Sequence, residues 1–189
     1  ETQDLVRMLA KEIKSPLLID GDGLTALASS PEILKGRSAP TVLTPHPGEM
    51  VRLSRLTPDE IAAGPIAVLK EMCRMLKSFI VLKGAHSLTG SPDGRVFINM
   101  TGNSGMATPG SGDVLTGVIT AMHGLGLPVE SAVRTGVFVH GLAGEPVRVP
   151  FMDAPPARAA DAVSLLEVRG GTFVRDCADS AAIRDGFLV

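Results

Sequence analysis

The amino-acid sequence predicts an α/β fold in which helices flank a largely parallel sheet. Three observations predict it. Short apolar runs of strand character alternate with segments of helical period up to about residue 145. Several runs close on a polar or charged residue, as a buried parallel strand does where it emerges at its carboxyl end. A glycine-rich stretch, residues 102–117 (GNSGMATPGSGDVLTG), links an alternating run to an apolar helix. Ligands of such sheets gather at the carboxyl ends of the strands, so the turn after Asp20, His46, Lys83 and Asp113 are expected on one rim.

Residues 4–13 set Leu5, Val6, Leu9 and Ile13 on one helical face, and Ser15-Pro16 ends that helix. Leu17-Leu18-Ile19-Asp20 is expected to be a buried strand closing on an acid. Residues 21–26 (GDGLTA) match the dinucleotide pattern GxGxxA. However, Asp20 and Asp22 would put negative charge where a pyrophosphate should lie, and no acid ends the next strand to hold a ribose. The segment is therefore read as an acidic turn that packs the sheet edge or faces a sugar or a metal-bound water.

A second strand is expected at 40–45, followed by His46-Pro47-Gly48-Glu49-Met50, with Gly48-Glu49 opening a helix. His46 is open to two readings, a surface turn or a ligand contact. Thr57-Pro58-Asp59-Glu60 is a capping box with proline at the first helical position. Its helix should run to about Lys77, with an interruption at Gly64-Pro65 and Cys73 in the core. Residues 79–83 form a third strand, whose Lys83 either meets a phosphate or caps the sheet, and His86 beyond it reads as exposed. Residues 91–94 (SPDG) make a hairpin turn into a strand at 95–99. After the glycine-rich stretch a helix stops at Gly124 and Gly126. Another spans 128–145, with Val133, Val137, His140 and Leu142 inward and His140 as a packing residue. Prolines 150, 155 and 156 break the pattern beyond, and a short helix at 159–168 completes a tail without evident chemistry.

Within 102–117 there are five glycines and one acid, Asp113. Free N–H groups at the start of a helix, with its dipole, favour an anion, so Pro109-Gly110-Ser111-Gly112 reads as a phosphate cradle. Asp113 beside it would take a proton from an attacking hydroxyl or hold a metal. The alternative is a plain turn in which Asp113 caps the helix, an effect of about 1 kcal/mol.

The chain has 189 residues, 44% hydrophobic and 20% charged, enough for one folded domain with a core. A net charge of -2 with scattered Lys and Arg gives no footprint for nucleic acid or a membrane surface. Aromatics are 3%, with no Trp or Tyr, against base-stacking platforms. Cys73 and Cys177 have no CxxC partner and read as free thiols in a reducing, cytoplasmic compartment. No apolar run approaches the roughly 20 residues of a membrane span. No signal peptide pattern opens the chain, and its start at Glu1, already in a helical pattern, is expected of a piece of a longer protein.

The strings IDGDGL (19–24), TPHPGEM (44–50), VLKGAHS (81–87) and the stretch 102–117, in this order, resemble the ADP- or ATP-dependent NAD(P)H-hydrate dehydratases of the ribokinase-like superfamily. The resemblance covers about residues 1–145 as a partial catalytic domain and leaves 146–189 as a divergent tail. It implies repair of hydrated NADH or NADPH, by phosphorylation of the hydroxyl at C6 of the nicotinamide ring and elimination of phosphate. By motif, Asp113 would be the base and, with His46, would contact the hydrated nucleotide. Lys83, Gly84, Ala85, His86 and Ser87, with Gly112, would bind ADP or ATP. Gly110, Ser111 and Gly112 would form the anion hole, and Mg²⁺ would bridge the nucleotide phosphates without a protein metal cage. The family has a further segment ending in a GPGLG-type stretch ahead of this point, so the fold is expected to lack its N-terminal part. Glu145 stands where the family commonly has Asp. Low net charge and missing first strands lead us to expect a homo-oligomer. Two further readings start from the same residues: a ribokinase-like kinase of a small alcohol, and a non-catalytic nucleotide-binding fragment.

Overall fold

The computed structural model describes residues 2–144. Glu145, Cys177, the helix expected at 159–168 and the tail lie outside them. The described residues fall into two units, the first ending at Ile98 and the second beginning at Asn99.

The first unit is built on a five-stranded sheet with strands in chain order: β1 (Leu17–Ile19), β2 (Thr41–Leu43), β3 (Phe79–Leu82), β4 (Leu88–Gly90) and β5 (Val96–Ile98). The first three pair in parallel, with Ile19 opposite Leu43 and Leu43 opposite Ile80. Both β4 pairings are antiparallel, so β5 runs with β1–β3 and four of five strands share a direction. The strand that precedes the 91–94 turn is thus β4; its three residues, one of them glycine, leave little alternation to read.

Helices α1 (Thr2–Glu12), α2 (Gly21–Leu27), α3 (Pro47–Ser54), α4 (Pro58–Ala63) and α5 (Pro65–Leu76) connect these strands. The core they share with the sheet includes Leu17, Ile19, Leu43, Ile80 and Leu82 from strands and Leu27, Met50, Leu53, Leu69 and Leu76 from helices. Residues 21–26 are a correction: the expected acidic turn is the first part of α2, entered through Gly21 at φ 52°. That left-handed entry suits glycine and lets the helix start directly after Asp20.

The apolar face expected of the first helix is also corrected. Leu5 and Leu9 stay exposed and Ala10 is buried. The helix is instead tied down by two guanidiniums. Arg7 donates to the Ala26 carbonyl, and Arg37 donates to the carbonyls of Ala10, Ile13 and Ser15 and to Thr41 Oγ1. The carbonyls at the end of α1 are among the groups a helix cannot satisfy internally, and Arg37 joins them to the start of β2.

Thr57 makes the expected capping box: its Oγ1 accepts from the Glu60 amide, and Glu60 Oε2 accepts from the Thr57 amide at 2.7 Å. Gly64, at φ -155° and ψ 61°, ends α4, and Pro65 opens α5 in its first turn, as the sequence indicates. Helix α5 lies close on β4: a Cβ at Gly90 would stand 2.5 Å from Cys73 Sγ and 2.9 Å from Leu69 Cγ. Burial pushes the Cys73 thiol up to about 12, which suits a packing residue rather than a nucleophile.

The second unit contains α6 (Ser111–Gly124) and α7 (Val129–Gly144), packed against each other. They approach closely at Gly136, where a Cβ would sit 2.9 Å from Ile119 Cα. The turn between them is closed by His123, whose Nδ1 donates to the Leu127 carbonyl at 2.8 Å. Val133, Val137 and His140 are buried as expected.

Candidate active site

In the first unit the carboxyl ends of β1, β2 and β3 share one edge, because the strands are parallel. This brings together Asp20, His46 and Lys83, three of the four residues placed there by sequence. Lys83 Nζ lies 2.9 Å from Asp20 Oδ1 and 3.8 Å from Glu49 Oε2. The ammonium is thus engaged by Asp20, just after β1, and by Glu49, in the first turn of α3, and the Lys83 amide donates to the Pro45 carbonyl at 2.8 Å. In this ligand-free arrangement the Lys83 ammonium closes the sheet edge on Asp20 and Glu49.

Sequence reasoning set Glu49 at the opening of a helix but gave it no partner. It is buried in a strand-to-helix turn, where a carboxylate persists only when paired and hydrogen-bonded. Its partners are Lys83 and His46. A capping-box spacing, His46 to Glu49, was the available signal, but histidine is not among the usual box residues. Pro47 opens α3 and His46 is its N-cap, with Nδ1 accepting from the amides of Gly48 (3.0 Å) and Glu49 (3.4 Å).

The loop after Lys83 is exposed at Gly84, Ala85 and His86, and Ser87 Oγ donates to the Gly84 carbonyl at 3.3 Å. Lys83, Gly84 and His86 line a cavity of about 340 Å³ together with Pro47, Gly48 and Val51. Both the His46 turn and the 83–87 loop therefore border one hollow.

In the second unit, Gly110 at φ 87° turns the chain into α6, and no side chain caps that helix. The Ser111 amide donates to the Thr108 carbonyl. The next amides, of Gly112 and Asp113, come before an i−4 acceptor exists and are left to face outward. Asp113 is in the first turn and exposed, and its carboxylate takes no hydrogen bond or ion pair from any described residue. It is therefore not the side-chain cap of the plain-turn reading. Gly110, Ser111 and Gly112 thus present bare backbone at the helix start with the exposed Asp113 beside it, an arrangement that can receive an anion. Behind it, buried His140 sets Nε2 3.5 Å from Ser111 Oγ. Burial pushes its imidazole down to about 4, so it is neutral near pH 7.

Among the described residues no group of three or more His, Cys, Asp or Glu could hold a metal ion, and no helix is long and apolar enough to cross a membrane.

A family model for NAD(P)H-hydrate dehydratase matches residues 1–161 of the chain. The bifunctional NAD(P)H-hydrate repair enzyme of Thermofilum pendens is 55% identical over 145 residues, 77% of this chain and 28% of that one. The ADP-dependent (S)-NAD(P)H-hydrate dehydratase of Neisseria meningitidis serogroup B is 34% identical over 76% of this chain and 49% of its own. The chain thus spans between about a quarter and a half of the length of these curated relatives. Among solved structures, the ADP/ATP-dependent NAD(P)H-hydrate dehydratase of Bacillus subtilis, co-crystallised with ATP/Mg²⁺, superposes with TM-score 0.72 at 30% identity, over 86% of this chain and 57% of that one. A ribokinase-like superfamily protein of Enterococcus faecalis gives TM-score 0.72 at 28% identity, over 89% of this chain and 58% of its own.

Proposed function

The chain belongs to the NAD(P)H-hydrate dehydratase family, and from that premise we propose that it takes part in returning hydrated NADH or NADPH to the native cofactor at the expense of ADP or ATP. The hydroxyl at C6 of the hydrated ring attacks the terminal phosphoryl group; a new P–O bond forms and the bond to the departing nucleotide breaks. The C6–O bond then breaks with its electron pair, phosphate leaves, a proton departs from the neighbouring ring carbon, and the ring double bond returns.

Asp113 takes the hydroxyl proton, work for which an exposed carboxylate that no described residue pairs, beside a bare helix start, is suited. The turn Gly110–Ser111–Gly112 meets the phosphoryl oxygens, with the Gly112 amide free to donate while that of Ser111 is held by the Thr108 carbonyl; positioning and charge stabilisation carry the transfer. The loop from Lys83 to Ser87 and Gly112 contact the adenosine nucleotide, and His46 contacts the hydrated nicotinamide nucleotide. Mg²⁺, when bound with the nucleotide, would supply neutralising charge at its phosphates.

The observation that carries this reading is the uncapped start of α6 with Asp113 open beside it. It is tested by incubating the chain with NADH hydrate, Mg²⁺ and ADP or ATP and following near-ultraviolet absorbance. Recovery of the NADH band in step with phosphate release is expected. A stable phosphorylated product without recovered absorbance would oppose dehydration.

A further inference from the structure

The turn after β2 fixes one imidazole. His46 Nδ1 accepts the amide hydrogens of Gly48 (3.0 Å) and Glu49 (3.4 Å). A ring nitrogen that accepts carries no proton, so the neutral ring keeps its hydrogen on Nε2. Glu49 Oε2 accepts the His46 amide at 2.8 Å, while Oε1 stands 3.4 Å from Nε2. The Glu49 side chain is only 7% exposed, and its counter-charge is Lys83 Nζ, itself held by Asp20. Gly48 has a part as well. A Cβ there would lie 3.0 Å from His46 Cε1, so glycine lets the ring fold back over the helix start. The His46 side chain is 51% exposed, so the ring can be reached by a ligand.

We propose that His46 meets its ligand as a hydrogen-bond donor through Nε2–H, and that Glu49 is the positioning residue that holds it so, with Lys83 and Asp20 acting through Glu49. The inference rests on His46 being a contact of the hydrated nicotinamide nucleotide and names the chemistry of that contact. The ligand atom opposite Nε2 is an acceptor oxygen, of a carboxamide or of a phosphate. The ring does not serve as the base, because a proton on Nδ1 would break both bonds to the helix amides. The ammonium of Lys83 is then a keystone among three strand ends, and substitution there should act on His46 before it acts on a phosphate.

Two variants separate the parts of the proposal. His46→Asn keeps a good helix cap but loses the Nε2–H donor. Glu49→Gln keeps an acceptor for the His46 amide but loses the charge. Nitrogen-15 spectra of the imidazole in the free chain at neutral pH should show one tautomer, with the proton on Nε2, and a detectable share of the other in Glu49→Gln, where the carboxylate facing Nε2 is lost while the helix amides still favour Nδ1 as acceptor. Calorimetric titration of His46→Asn with hydrated NADH should show a Kd raised on the order of tenfold, with the thermal midpoint unchanged. A parallel titration with ADP-ribose, which lacks the nicotinamide ring, tells the two oxygens apart. Equal loss for both ligands indicates phosphate, and loss for the hydrate alone indicates carboxamide. A wild-type ring protonated on Nδ1, a tautomer unmoved in Glu49→Gln, or His46→Asn binding like wild type would each overturn the proposal. If the wild-type chain bound no hydrated nucleotide, the assignment of His46 as a contact would fall, while the spectra would still decide where its proton sits.

Discussion

Thr44 follows β2, is fully buried, and its hydroxyl has no hydrogen-bond partner among the described residues. A buried hydroxyl without a partner costs about 1–3 kcal/mol of desolvation. Thr44→Val, which keeps the shape, is expected to raise stability by about 1 kcal/mol, read as a higher denaturation midpoint. A lower midpoint would mean the hydroxyl is satisfied in solution. His140 supplies a pH test. Its folded pKa of about 4 lies below the ordinary 6.5, so between these values the unfolded chain binds the proton more readily. Stability is then complete above about pH 6.5 and is lost as pH falls toward 4, by about 3 kcal/mol at most. In His140→Gln that slope should flatten; an unchanged slope would place the titration elsewhere. Asp113 stands out in the sequence as a single acid among glycines, and its exposed place in the first turn of α6 is as that position suggests. Glu49 was not legible in this way, since its significance comes from Lys83, 34 positions away and brought near by the pairing of β2 with β3.

At the level of elements, the sequence signals that were local held best. The Thr57 box and the Gly64-Pro65 break both depend on neighbours within four residues, and both stand where expected. The face buried by α1 was misread because Arg7 and Arg37 set its orientation from a distance. The contact of α5 with β4 is likewise invisible until the sheet is assembled. Gly90→Ala should destabilise the fold by about 1–3 kcal/mol, since the new methyl meets Cys73 and Leu69. Adding Cys73→Ala should recover part of the loss, as expected for residues that share one space. A double variant no more stable than the additive sum in urea denaturation would refute that contact.

For the molecule as a whole, the fold is ribokinase-like, as the order of strings along the chain implied. The three parallel strands were readable because their apolar runs are continuous and close on charged or polar residues. The order of all five strands was not, because pairing is a property of the closed sheet rather than of any segment. The rim occupied by Asp20, His46 and Lys83 follows from parallel pairing alone, and the bare start of α6 follows from Gly110 and the lack of a capping side chain.

The central claim is that Asp113 removes the proton from the attacking hydroxyl. Single-turnover conversion of hydrated NADH with ATP, by wild type and by Asp113→Asn, tests it most directly. The claim predicts a rate lower by about 10²-fold or more in the variant, with nucleotide affinity retained. A variant that converts the hydrate as fast as wild type would contradict it.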